Sequence, residues 1–200
     1  TDIHLATAAR VFGLEPSQVT PEMRRRAKMI NFGLLYGMEA FGLADRLGIS
    51  KEEARQHIDA YFAQFPKVRQ FMADVVTTAR NTGYTTTLFG RRRYLPELKS
   101  DNFRVRQMGE RMALNAPVQG SAADIIKRAM IALHAALASA SLETAMVLQV
   151  HDELVLESPP GEIEEAGRLI VLVMENVVKL DIPLRVDLAT GANLAETKAR

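Results

Sequence analysis

Four side chains in one run of the sequence could act together on a phosphate-bearing ligand. Arg24, Lys28, Phe32 and Tyr36 recur every four residues in Arg24-Arg25-Arg26-Ala27-Lys28-Met29-Ile30-Asn31-Phe32-Gly33-Leu34-Leu35-Tyr36-Gly37. On a helix each step of four advances by about 40°, so the four form a slowly winding stripe, cationic at its N-terminal end and aromatic at its C-terminal end. The start of a helix also presents free amides and the positive pole of the dipole, which favour phosphate. Farther along, a ring can stack on a base, and Gly33 would let a ligand approach the backbone. A nucleoside triphosphate has this polarity, anionic at one end and flat at the other. The spacing fits equally an amphipathic helix with a basic solvated face and two core aromatics.

A second candidate is His151-Asp152-Glu153, which lies between the apolar runs Ala145–Val150 and Leu154–Glu157. Runs so close return antiparallel, so a hairpin with three polar residues at its tip is expected. Its strands should be buried and its carboxylates held at the rim of a core. Such carboxylates suit a hard cation such as Mg²⁺, although acidic residues are common at turns anyway. With four His and no Cys, a zinc site has little to draw on.

Guanidinium groups concentrate in Leu88-Phe89-Gly90-Arg91-Arg92-Arg93-Tyr94-Leu95-Pro96 and at Arg104, Arg106 and Arg111. Residues 89–111 hold 7 basic and 3 acidic side chains. This fits sequence-independent contact with a phosphate backbone, or an ordinary exposed basic loop. Asn115-Ala116-Pro117-Val118-Gln119-Gly120-Ser121 places two amides around an expected helix start, where they could read minor-groove edges or cap the helix.

The elements that must position these groups follow from local signals. Residues 2–12 have helical periodicity and stop at Gly13. Thr20-Pro21 begins the helix that carries the stripe and that Gly37 closes. Ser50 and Glu53 form a capping box, and that helix ends near Phe65-Pro66. Another runs to Thr82-Gly83, and Tyr84–Leu88 before Gly90 suggests a short extended or hairpin segment. One helix is expected from Asp101 to Asn115 and a separate one from Pro117 to about Ala140. After the hairpin come a helix from about Glu162 to Val178 and a strand from Leu184 to Leu188. The expected class is α+β, mainly helical, with a small antiparallel sheet.

Residues 1–142 carry 20 Lys and Arg against 13 Asp and Glu, whereas residues 143–200 carry 5 against 11. A basic body beside an acidic segment suggests an anion-binding surface next to a cation site. Absence of Cys excludes disulfides and thiolate chemistry. With no apolar run of membrane length and no secretory leader, the expectation is no membrane and a cytoplasmic location. Opening at Thr1, the chain reads as a piece of a longer protein.

Arg24-x-x-x-Lys28-x-x-x-Phe32-Gly33-x-x-Tyr36-Gly37 resembles motif B, the fingers helix of family A (bacterial DNA polymerase I-like) DNA polymerases. Gln149-Val150-His151-Asp152-Glu153-Leu154 resembles motif C, the palm hairpin. Thr87–Arg92 and Asn115–Gly120 also match, in the expected order. The resemblance implies a partial right-hand polymerase fold: a fingers subdomain at 1–100 and a C-terminal palm portion at 101–200. The implied activity is template-directed nucleotidyl transfer to a primer 3′-hydroxyl, with primer-template DNA and deoxynucleoside triphosphates as partners. His4, Arg24 and Lys28 would hold the triphosphate, and Lys28 would also supply a proton or charge to the leaving pyrophosphate. Phe32 would pack on sugar and base, and Phe at this position implies discrimination against dideoxynucleotides. Tyr36 would stack at the template position. Arg111, Asn115 and Gln119 would follow template and minor groove, and His151 would touch the primer end. Asp152, with Glu153 beside it, would bind a Mg²⁺ pair.

The family's other metal carboxylate lies in motif A, and no such run occurs in this sequence. Motif A and the thumb would lie upstream in the parent chain, so the 200 residues alone are expected not to polymerise DNA. The rival classes are a binding module that holds DNA or nucleotide without chemistry and a helical interaction protein.

Overall fold

The computed structural model describes residues 2–197 and is mostly helical, with two small antiparallel sheets. The chain forms two compact units, Thr1–Gly120 and Ser121–Arg200.

In the first unit, α1 (Ile3–Phe12) begins at Asp2, whose carboxylate accepts from the amides of His4 and Leu5, and stops at Gly13 with φ 67°. Helix α2 (Pro21–Leu35) starts as expected: Thr20 accepts from the Met23 amide at 3.2 Å and proline fills the first helical position. Ala27, Ile30, Asn31 and Leu34 make its buried face. Then come α3 (Ala40–Leu47), α4 (Lys51–Gln64) behind the Ser50/Glu53 capping box, and α5 (Pro66–Thr82), which Gly83 ends. Ile30, Leu34, Leu43, Ala54 and Tyr61 form the core here. Each of the large aliphatic side chains among them contributes about 1.5–3 kcal/mol through burial.

Strands β1 (Tyr84–Thr86) and β2 (Arg92–Tyr94) pair as a hairpin, so the extended segment expected at Tyr84–Leu88 is present and shorter. A second core of Ala79, Leu95, Leu98 and Ala113 lies under it.

Helix α6 (Phe103–Ser139) runs unbroken for 37 residues with Pro117 inside it. Two helices were expected there. Proline removes one backbone bond, but a new start would need a cap, and the Asn115 side-chain oxygen caps nothing: it is buried with no hydrogen-bond partner among the described residues. Extending a formed helix is cheaper than nucleating another.

In the second unit, the rest of α6 is followed by β3 (Ala145–Val150) and β4 (Glu153–Glu157), then α7 (Ile163–Glu175) and the short α8 (Leu194–Thr197). Leu133, Leu137 and Ile170 form the core, with Met146, Leu154 and Leu156 packed on it. The strands are not buried as expected. One face of this two-stranded sheet meets helices, while Val147 and Leu148 remain half exposed. A bulge between Met146 and Leu148 leaves Val147 unpaired and shifts the face that follows. The strand expected at Leu184–Leu188 does not form, because the segment has no ladder partner among the described residues. Instead it crosses α7: the Val186 amide donates to the Glu175 carboxylate at 3.1 Å, and a Cβ at Gly167 would lie 2.8 Å from Leu188.

Candidate nucleotide and nucleic-acid site

The stripe on α2 is a surface feature. Arg24, Lys28 and Phe32 are exposed, Tyr36 is half-buried, and the helix turns its aliphatic residues inward. Phe32 is 43% exposed, so the reading with two core aromatics fails at that position. The rings of Phe32 and Tyr36 stack with centroids 6.3 Å apart, and His4 approaches Phe32 at 5.5 Å. Three rings and two cations thus share one face of α1 and α2.

Partners hold several of these groups. Arg24 pairs with Asp2 at 2.7 Å. The hydrogen bond from Arg24, then that from the Leu5 amide, pulls the Asp2 carboxyl down to about 2. His4 is linked to Asn31 and through it to Thr7. Burial first, then the charge of Arg24, pushes the His4 pKa below its ordinary value, so the ring is neutral near pH 7. Lys28 has no ion pair among the described residues, which leaves its ammonium available to an anion. The sequence reading missed Asp2, Thr7 and Asn31. An aspartate directly before a helix is a capping signal and could have marked Asp2; nothing local marks the other two.

Gly33 does not open the backbone to a ligand as expected. A Cβ there would lie 2.9 Å from the Met38 thioether, so Met38 fills that space. Gly37 has φ 77°, and a Cβ would meet Leu114 at 3.0 Å and Arg111 at 3.2 Å. The C-terminal end of the stripe therefore abuts α6 where Arg111 stands. Arg111, Asn115 and Gln119 follow one another at intervals of four along that helix; Arg111 and Gln119 are exposed. The Thr87–Arg91 turn leans on the same helix. Arg91 donates to the Gly120 carbonyl at 3.1 Å, and a Cβ at Gly120 would lie 2.7 Å from the Thr87 methyl. Arg92 lies over the Tyr84 ring at 4.6 Å, which leaves the edge of the hairpin basic and aromatic. The two stretches read separately in the sequence are neighbours in the first unit.

In the second unit the hairpin tip is a two-residue turn, His151-Asp152, rather than three residues, because Glu153 already pairs with Val150 as the first residue of β4. His151 takes φ 56°, uncommon outside glycine but tolerated by His. Its carbonyl accepts from the Gln149 side chain at 3.0 Å, which ties the turn to β3. His151, Asp152 and Glu153 are all exposed. The base of the hairpin is pinned by Glu162, whose carboxylate accepts from the amides of Glu143 and Thr144, each at 2.9 Å, and from the Thr144 hydroxyl at 2.7 Å. Those bonds, the Glu143 amide foremost, lower the Glu162 pKa.

Two adjacent carboxylates offer the hard oxygens that Mg²⁺ prefers. They are too few to hold a metal pair, and no group of three or more His, Asp or Glu suited to a metal occurs among the described residues. No described helix is long and apolar enough to cross a membrane.

DNA polymerase I of Bacillus caldotenax is 50% identical over 98% of this chain and 22% of its own length. DNA polymerase I of Mycobacterium tuberculosis (strain ATCC 25618 / H37Rv) is 52% identical over 95% and 21%. The chain thus spans about a fifth of the length of these relatives. A solved structure described as the POL domain of Pol1 from M. smegmatis in complex with DNA primer-template and dNTP matches with a TM-score of 0.90 and 50% identity, over 94% of this chain and 33% of that one. The sequence profile described as DNA polymerase family A matches residues 1–196, and the chain belongs to that family.

Proposed function

We propose that the protein from which these residues come is a DNA-directed DNA polymerase, and that this chain supplies its fingers (1–100) and a C-terminal part of its palm (101–200). The observation that carries the reading is the exposed alignment of Arg24, Lys28, Phe32 and Tyr36, with His4 against Phe32. A triphosphate laid along this face meets cations first and rings last. The partners are a deoxynucleoside triphosphate and primer-template DNA, the ligands named for the M. smegmatis structure. Upstream thumb and palm segments of the parent complete the assembly.

In the reaction the primer 3′-hydroxyl gives up its proton to water, its oxygen bonds to the α-phosphorus, and the bond from that phosphorus to the pyrophosphate oxygen breaks. His4, Arg24 and Lys28 hold the β- and γ-phosphates. Lys28 meets the charge that grows on the leaving pyrophosphate and gives it a proton. Phe32 packs on sugar and base, and Tyr36 occupies the template position until the templating base arrives. Arg111, Asn115 and Gln119 track the minor groove, while His151 contacts the primer end. Asp152 and Glu153 would be this chain's contribution to binding Mg²⁺, which when bound stabilises charge on the entering and leaving oxygens.

The remaining metal donors come from the parent, so the 200 residues alone bind without extending a primer. Primer extension with Mg²⁺ tests both statements. The full-length parent should extend and its Lys28→Ala variant should lose most activity, while the isolated chain stays inactive. An inactive parent would refute the polymerase reading in favour of a binding module, and an active isolated chain would refute the incompleteness.

A further inference from the structure

Building on the reading of His4 as a triphosphate ligand, we propose that Thr7 and Asn31 are positioning residues that fix the tautomer of His4, so that the neutral ring displays its Nε2–H to the polyphosphate. Thr7 is wholly buried on α1 and donates its hydroxyl proton to Asn31 Oδ1 at 3.0 Å. Asn31, on the buried face of α2, is 8% exposed. With Oδ1 taken by Thr7, the amide nitrogen faces the imidazole, and it lies 2.9 Å from His4 Nδ1. An amide nitrogen can only donate. Nδ1 must therefore be the lone-pair nitrogen, and the single proton of a neutral ring sits on Nε2. The opposite amide orientation would place Oδ1 toward the ring, require a proton on Nδ1 and turn the Nε2 lone pair toward an anion, which repels it.

The surroundings make the tautomer matter. The charged groups around His4 are Arg24 and Lys28 on α2, which oppose a cationic ring, and Asp2, which favours one; burial outweighs Asp2, and the ring stays neutral. A neutral imidazole helps an anion only through the nitrogen that carries its proton. The relay thus gives the triphosphate a fixed donor without adding a third cation beside Arg24 and Lys28.

The test uses the full-length chain labelled with ¹⁵N-histidine, with His4 identified by the signal lost in His4→Gln. Without nucleotide, long-range ¹H–¹⁵N spectra should show His4 neutral and protonated at Nε2. Thr7→Val removes the bond that orients the amide and should yield a mixture of tautomers. Asn31→Asp, nearly isosteric, places a carboxylate opposite Nδ1. It should move the proton there and raise the pKa of the ring. Deoxynucleotide affinity should then become pH-dependent. In Asn31→Asp it falls by roughly tenfold at alkaline pH, where the outward nitrogen is bare, and recovers as the ring gains its second proton on acidification. The wild type should stay nearly flat over the same range. A wild-type proton on Nδ1, a Thr7→Val spectrum unchanged from wild type, or an Asn31→Asp affinity profile parallel to wild type would each overturn the proposal. Unchanged nucleotide affinity in His4→Gln would instead remove the triphosphate role, and the nucleotide-free spectra would still decide the relay.

Discussion

The groups on α1 and α2 are held from beneath, whereas the acidic hairpin is held from its far end. In the first unit His4 rests on Asn31, Arg24 on Asp2, and the Tyr36-Gly37 corner on Arg111 and Leu114. In the second unit His151 and Asp152 project beyond the last strand pair, and the tightest anchorage is the Glu162 clamp at the other end of the strands. On the proposed function the difference is chemical. A triphosphate needs several donors fixed before it arrives, because catalysis by placement depends on groups that do not reorganise. A metal-binding carboxylate needs only to be delivered, since the cation and its remaining ligands complete the geometry.

The contrast is broken most sharply at the tip. Asp152→Asn in the full-length protein should lower kcat by about a thousandfold while nucleotide and DNA still bind, as single-turnover kinetics with a parallel binding assay would reveal. Lys28→Ala should cost about a hundredfold in kcat, because a positioned proton or charge donor is lost but the other cations remain. Weaker nucleotide binding with kcat unchanged would assign Lys28 to uniform binding instead.

Smaller effects sharpen the comparison. Gly37→Ala should destabilise by about 1–2 kcal/mol, from an unfavourable φ and a crowded Cβ, and the loss should appear in denaturant titration. Glu162→Gln replaces one acceptor oxygen with a donor facing an N–H or a hydroxyl. Faster hydrogen exchange at the Thr144 amide is expected, with no change at His4. The smallest effect is acid sensitivity at Asp2. Its folded pKa is depressed, so its stabilising contribution is complete above the ordinary value of 3.8 and is lost as pH falls through about 2. Asp2→Asn should flatten that acid limb of the stability curve, because the variant lacks the same contribution at neutral pH.

Much of this was legible in the sequence where the cause is local. Thr20-Pro21, the Ser50/Glu53 box and glycines 13 and 83 bound helices as expected, because caps act within one turn. The α2 stripe was legible because a period of four on a helix has one geometric meaning. Its exposure was not, since that depends on which face α1 and the core cover. Pro117 misled because proline reads as a beginning, whereas α6 already had a continuous backbone on both sides. Leu184–Leu188 has strand-forming residues but no ladder partner among the described residues. Asp2–Arg24 and Thr7–Asn31–His4 join positions more than twenty residues apart, beyond any local pattern.

The contact between Thr87 and Gly120 leaves no clearance for even one added methyl group. Surfaces so tightly mated transmit displacement instead of absorbing it. On the proposed role of Gln119 in tracking the minor groove, sideways pressure from a misshapen base pair would be felt one residue later, at the turn that carries Arg91.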